Sequence, residues 1–193
     1  MIHGLDTGFL VAAEVREHKA HADARSTLAQ VLSAGDVIAV APQVLAEFIH
    51  VVTDPRRFAQ PLDMNAALHV AEQWWTSRDV VQAFPDAGAV RQFLTWMQQF
   101  SLGRKRLLDT LLAATYWQVG IQSLLTTNQS DFLVFGVFSC VPPRRGKQRC
   151  GKQGREMRQT GTRFVLATRE ASLPSSGTKL VSARNVREPS ERE

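Results

Sequence analysis

Four acidic residues, Asp6, Glu47, Asp109 and Asp131, stand at places in the chain where carboxylates could do chemistry together. Asp6 closes a first apolar run, Glu47 lies in an amphipathic stretch after a second, Asp109 opens an apolar helix pattern, and Asp131 follows a short β-branched segment. Carboxylates packed together repel and raise one another's pKa unless a cation sits among them. Mg²⁺ or Mn²⁺ would resolve that repulsion. Either ion takes oxygen ligands, keeps part of its water shell, and can hold phosphate oxygens while activating a water for in-line attack. Each acid also has a plainer reading. Asp6 in Asp6-Thr7-Gly8 suits a helix N-cap, and Asp109 suits a first helical turn, where free N–H groups and the dipole favour an acid. Glu47, beside Phe48, is a surface residue unless it faces a polar cleft.

For the acids to meet, the elements that carry them must converge. Residues 1–5 are an apolar run of strand length, and 9–15 and 20–32 read as helices, the second stopped by Gly35. Residues 36–41 form a second strand, and Pro42 suits the first turn of a helix with Val44, Phe48, Val51 and Val52 on one face. The two prolines of 53–62 mark a loop, and Asp63 caps a helix through Trp74. Residues 79–84 are a third possible strand. Pro85-Asp86 begins a helix whose Val90, Phe93, Leu94, Met97 and Phe100 recur at three and four, and Gly103 breaks it. From Leu107, the positions Leu108, Leu111, Leu112 and Thr115 repeat at helical spacing, Ala113 and Ala114 keep that helix slim, and Gly120 fits its C-terminal cap. Strands are expected at 123–127 and 132–141.

Strand and helix in alternation predict a parallel sheet, and ligands of such sheets collect at the carboxyl ends of the strands. There the four acids can gather, together with Thr126, Thr127 and Asn128. Arg104, Lys105 and Arg106 precede a helix start. A phosphate would be at home there, although charge balance on a solvated loop explains them as well. His18 and His21 lack the neighbours of a metal set and read as solvated. Trp74 and Trp75 are not interleaved with basic residues, so they read as packing or dimer contacts rather than a base-stacking platform.

The formal charge of +5 is unevenly spread. Residues 1–142 carry 10 Lys and Arg against 13 Asp and Glu, a net of −3, whereas 143–193 carry 13 against 5, a net of +8. That basic segment has one aromatic, Phe164, and no sustained period, so it reads as a mostly disordered tail with a single possible strand at 162–168. It is either a basic arm for nucleic acid or a segment without function. The 44% hydrophobic content suits one globular domain over 1–142. No apolar run approaches membrane-spanning length, and 9–13, interrupted by Glu14 and without a basic leader, does not read as a signal peptide; a cytoplasmic location is the expectation. Cys140 and Cys150 then read as ordinary thiols of a reducing compartment.

Three segments, LDTGFLVAAEV at 5–15, PQVLAEFIHVVTDPRRF at 42–58 and LLDTLLAATYWQVGIQSLLTTNQSDF at 107–132, resemble the PIN domain, in particular the VapC-type toxins of prokaryotic toxin–antitoxin pairs. The resemblance covers about 1–142. It implies a three-layer α/β/α sandwich with a central parallel sheet, Mg²⁺- or Mn²⁺-dependent cleavage of RNA, a homodimer, and a small VapB-type antitoxin partner. By position, Asp6, Glu47 and Asp109 match the acidic metal ligands of that family, and the fourth acidic site falls in the corner from Asn128 to Asp131. Thr7 and Thr127 match the small hydroxyl positions beside the metal. Many relatives have Asp where this chain has Asn128, which would leave one ligand neutral. By the same analogy the acids position metal and water, and Arg104, Lys105 or Arg106 would hold the RNA backbone. Two other readings stay open: a PIN-fold nuclease of RNA processing outside any toxin pair, and a catalytically weak RNA-binding module.

Overall fold

The chain, described by a computed structural model over residues 1–144, places its apolar runs in one five-stranded sheet. The basic tail beyond that point, the strand expected at 162–168 and Cys150 lie outside the described residues. In chain order the elements are β1 (Ile2–Leu5), α1 (Thr7–Glu14), α2 (His21–Ser33), β2 (Val37–Val40), α3 (Pro42–Val52), α4 (Met64–Thr76), β3 (Val80–Gln82) and α5 (Ala87–Gln99). A 3₁₀ turn (Arg104–Arg106) then leads to α6 (Leu107–Gln118), β4 (Ser123–Leu125), α7 (Ser130–Leu133) and β5 (Ser139–Val141).

The strands pair in the order β3-β2-β1-β4-β5, and every pairing is parallel. Helices cover the sheet in the expected three-layer arrangement, with α1 packed on α2 and α3, and α5 on α6. Burial from both sides explains why β1, β2 and β4 read as nearly unbroken apolar runs instead of alternating ones. Leu5, Ile38, Ala39, Val40, Leu124 and Leu125 are fully buried.

Local signals set the ends of the elements. Pro42 occupies the first turn of α3. Asp63 and Asp86 accept the backbone N–H of Ala66 at 2.8 Å and of Ala89 at 2.7 Å, capping α4 and α5. Gly35 and Gly120, at φ +77° and +78°, turn the chain out of α2 and α6 in a left-handed conformation that suits glycine.

Two expectations are corrected. Leu108, placed on the packed face by its spacing, is 52% exposed. α6 instead buries Thr110 and the run from Leu112 to Tyr116, almost the whole girth of the helix. The strand expected at 132–141 is confined to Ser139–Val141, and Phe132 belongs to the helical turn α7. Phe132, Phe135 and Phe138 recur every third residue, which turns all three rings into the core, and Phe135 stacks on Trp96 at a centroid distance of 4.5 Å. Trp74 is buried, with its indole N–H donating to Glu14 Oε1 at 3.0 Å, and Trp75 meets Phe84 edge-on. Cys140 is a free thiol. Among the described residues no helix is long and apolar enough to cross a membrane.

Candidate functional site

Asp6 is the first residue beyond β1, and sheet register decides its neighbours. Leu5 lies opposite Leu125, and the Asp6 N–H donates to Leu125 O at 3.0 Å, so Asp6 emerges beside Thr126 at the carboxyl edge. Strand order reverses direction between β1 and β4, which is where such sheets bind ligands. In backbone terms Asp6 is the N-cap of α1, yet its side chain makes no cap hydrogen bond. The carboxylate turns instead to Thr126, whose buried hydroxyl donates to Asp6 Oδ2 at 2.8 Å and accepts the Asn128 N–H at 3.0 Å.

The other acids arrive from helices. Glu47 is on α3, where Thr7 at the start of α1 donates its hydroxyl to Oε2 at 2.8 Å. Asp109 is in the first turn of α6. That helix is keyed to the sheet two turns on by Tyr116, whose buried hydroxyl lies 2.8 Å from Leu5 O and 3.0 Å from Ala39 O and accepts the Leu5 N–H at 3.2 Å. Gly8 permits the closest approach at the site, since a Cβ there would meet Thr127 Oγ1 at 2.6 Å.

Asp6, Thr7, Glu47, Asp109, Thr127 and Asn128 line one pocket of about 430 Å³. Burial pushes the Asp6 carboxyl up to about 7; the Thr126 hydrogen bond opposes this, and Asp109 and Glu47 add to it by repulsion. Asp109 is also raised, first by burial and then by Asp131, with Arg106 acting against both. The phenol of Tyr116 is pushed well above its ordinary value by burial.

Asp131 and the basic cluster sit differently. Asp131 does not line the pocket. Its Oδ1 accepts from Arg106 Nη1 at 2.5 Å, its Oδ2 accepts from the Asn128 amide, and its backbone oxygen accepts a second Arg106 N–H. Ser130 donates to Asn128 Oδ1 at 2.7 Å, so the corner from Asn128 to Asp131 is a closed polar knot. Arg106 also stands 3.7 Å from Asp109 Oδ2, which puts a guanidinium between two of the acids, while Arg104 and Lys105 are exposed on the turn before α6.

The donor chemistry fits a hard divalent cation. Asp6, Glu47 and Asp109 offer only oxygens, a small hydroxyl supports each of the first two, and the burial and repulsion that burden Asp6 are what a cation would relieve. Among the described residues no group of three or more His, Cys, Asp and Glu side chains stands close enough together to hold a metal ion by itself.

Spacing along the chain did not single out the rest of the lining. Val11, His18, Val51, Arg57 and Phe58 complete the pocket. His18 is half-buried, and burial followed by Lys19 and His21 lowers its pKa. Thr126, noted only as a strand-end residue, is the hydrogen-bond partner of Asp6. A Thr-Thr pair closing an apolar strand next to Asn was the one signal that could have pointed to it.

A family model described as the PIN domain matches residues 5–135. None of the curated proteins matches the sequence. Among solved structures, the chain is similar to VapC20 of Mycobacterium tuberculosis, described as a sarcin-ricin loop cleaving toxin. The TM-score is 0.55 and the identity 21%, over 71% of this chain and 96% of that one. It is also similar to VapBC2 of Rickettsia felis bound to a DNA fragment from its promoter, at 0.53 and 19% over 74% and 98%. A third is VapBC-1 of nontypeable Haemophilus influenzae, at 0.52 and 16% over 74% and 98%. At these identities the likeness is one of fold.

Proposed function

The chain belongs to the PIN-domain family, and from that premise we propose that it is a metal-dependent endoribonuclease, the toxin half of a VapBC-type pair. The observation that carries this reading is the meeting of Asp6, Glu47 and Asp109 in one pocket although the residues lie far apart in sequence. Asp6, Glu47 and Asp109, with Asn128 at the rim, would hold Mg²⁺ or Mn²⁺. When bound, such an ion neutralises phosphate charge and makes a water acidic enough to attack at neutral pH.

The protein's own residues define the geometry of that reaction. Thr126 orients the Asp6 carboxylate and favours its charged form, and Thr7 orients Glu47. Arg106 limits the repulsion between Asp109 and Asp131 and fixes the corner that carries Asn128. Asp131 serves the site through that corner. Of the basic cluster, Arg104 and Lys105 are the candidates for the RNA backbone, where cations position the strand without reading its sequence, because Arg106 is held by Asp131 and Asp109. Complexes of toxin and antitoxin among the structural neighbours support a VapB-type antitoxin partner, and a homodimer accompanies that reading. The basic segment from 143 is proposed as an appendage to a nuclease domain of residues 1–142.

Incubating the full chain with RNA and Mn²⁺ tests the proposal. Cleavage should appear, stop with EDTA, and fall at least about 1,000-fold in Asp6→Asn and in Asp109→Asn while circular dichroism stays unchanged. RNA cut equally well by both variants would overturn it.

A further inference from the structure

The pocket has two unlike ends. Asp6, Thr7, Glu47 and Asp109 make one of them. On α1, Val11 follows Thr7 by one turn, and on α3, Val51 follows Glu47 by one turn, so the lining continues about 6 Å away from the acids along two packed helices. The same pocket is lined by His18, from the segment after α1, and by Arg57 and Phe58, from the loop after α3. Nothing in an acid-bound cation requires a ring, a guanidinium and two valines.

Each of these groups is poised to act on a ligand. The ring of Phe58 is half-buried against the core. Among the described residues Arg57 pairs with Asp54, at 3.4 Å and with more than half of the arginine side chain exposed, a pairing weak enough to yield to a phosphate. His18 Nδ1 accepts the Ala20 N–H at 3.2 Å, so the proton of the neutral imidazole is on Nε2, which makes it a donor. Apolar walls with a few fixed polar groups are the usual make-up of a small-molecule pocket, and 430 Å³ is within the usual size.

We propose that this end is a nucleobase subsite: an unpaired base of the RNA next to the scissile phosphate stacks on Phe58 between Val11 and Val51. Arg57 holds an adjoining phosphate, and His18 Nε2–H donates to an acceptor on the base edge or the ribose. Single-stranded RNA is commonly recognised through splayed bases stacked on aromatic side chains. The subsite rests on the nuclease reading and adds to it a requirement for a flexible, unpaired nucleotide at the cut.

The test uses a short RNA carrying 2-aminopurine at the position next to the cleaved bond, bound to the full-length Asp6→Asn chain so that cutting does not interfere. Stacking should quench the probe. Asp6→Asn/Phe58→Leu, which keeps apolar volume without a ring, should lose the quenching and bind about tenfold or more weakly, and Phe58→Tyr should retain both. Arg57→Ala should lower the slope of log affinity against log salt by about one. In the cleaving chain, Phe58→Leu should raise KM more than it lowers kcat. Quenching unchanged in Phe58→Leu, at an unaltered thermal midpoint, would overturn the subsite and leave the nuclease reading standing. Absence of both cleavage by the native chain and RNA binding by Asp6→Asn would overturn both.

Discussion

The two edges of the sheet hold similar polar side chains in opposite conditions. At the amino edge, the buried His3 lies with Nδ1 2.7 Å from Ser123 Oγ and Nε2 3.2 Å from Asp36 Oδ2, and Asp36 also takes the N-terminal ammonium of Met1. Those bonds, the ammonium first and His3 next, hold the Asp36 carboxyl below its ordinary range. Serine, histidine and aspartate in a row resemble a catalytic relay, yet every member is satisfied by another. At the carboxyl edge the Asp6 carboxyl is driven up to about 7 by burial that one threonine cannot offset, with two more acids repelling it across a pocket. Complementary polar groups close on themselves and stiffen the fold, whereas a surplus of one charge beside open space marks a place for something from outside.

This contrast is sharpest in the absence of metal. The Asp6 carboxyl, raised in the fold, keeps its proton between about pH 4 and 7 while the unfolded chain has lost it, so stability falls as pH rises through that window and stays low above it. In chelator at pH 8, Asp6→Asn should therefore be more stable than the native chain, by on the order of 2 kcal/mol, and should flatten the pH dependence. Thermal unfolding across pH checks this; a variant that is less stable at pH 8 would place the strain elsewhere. His3→Ala, at the other edge, should do the reverse. Removing a buried, hydrogen-bonded ring should cost about 1–2 kcal/mol in urea unfolding, with RNA cleavage per folded molecule unchanged. The smallest effect belongs to Thr126→Val, which removes the bond favouring the charged form of Asp6 and should move the acid limb of the cleavage profile to higher pH. An unmoved limb would detach that hydroxyl from the reaction.

Much of this is legible in the sequence. β1, β2 and β4 are visible as apolar runs because both faces of the sheet's centre are covered, and Pro42, Asp63, Asp86 and Gly120 mark element ends through chemistry that acts within a few residues. Asp6, Glu47, Asp109, Asn128, Thr7 and Thr127 all reach the same pocket. Periodicity failed where it had little length to work on. Between Phe132 and Val141 a helical turn and a three-residue strand share one apolar stretch, and Leu108 fits a stripe on a helix that is buried nearly all round. His18, Arg57 and Phe58 lie outside the regular elements, where no spacing rule applies, and only the approach of α1 to α3 brings them together. Asp131 was recognisable as an acid near the right corner, but its pairing with Arg106 depends on how the turn before α6 folds back over α7.

The hydroxyl of Tyr116 reaches both β1 and β2 from underneath, and Asp109 rides the same rigid helix two turns higher, about 10 Å along its axis. The gap between Asp109 and Asp6 is thus gauged from the floor of the protein, like a post seated in a socket. A change in the core that no ligand ever touches would therefore reset the distance between these two carboxylates.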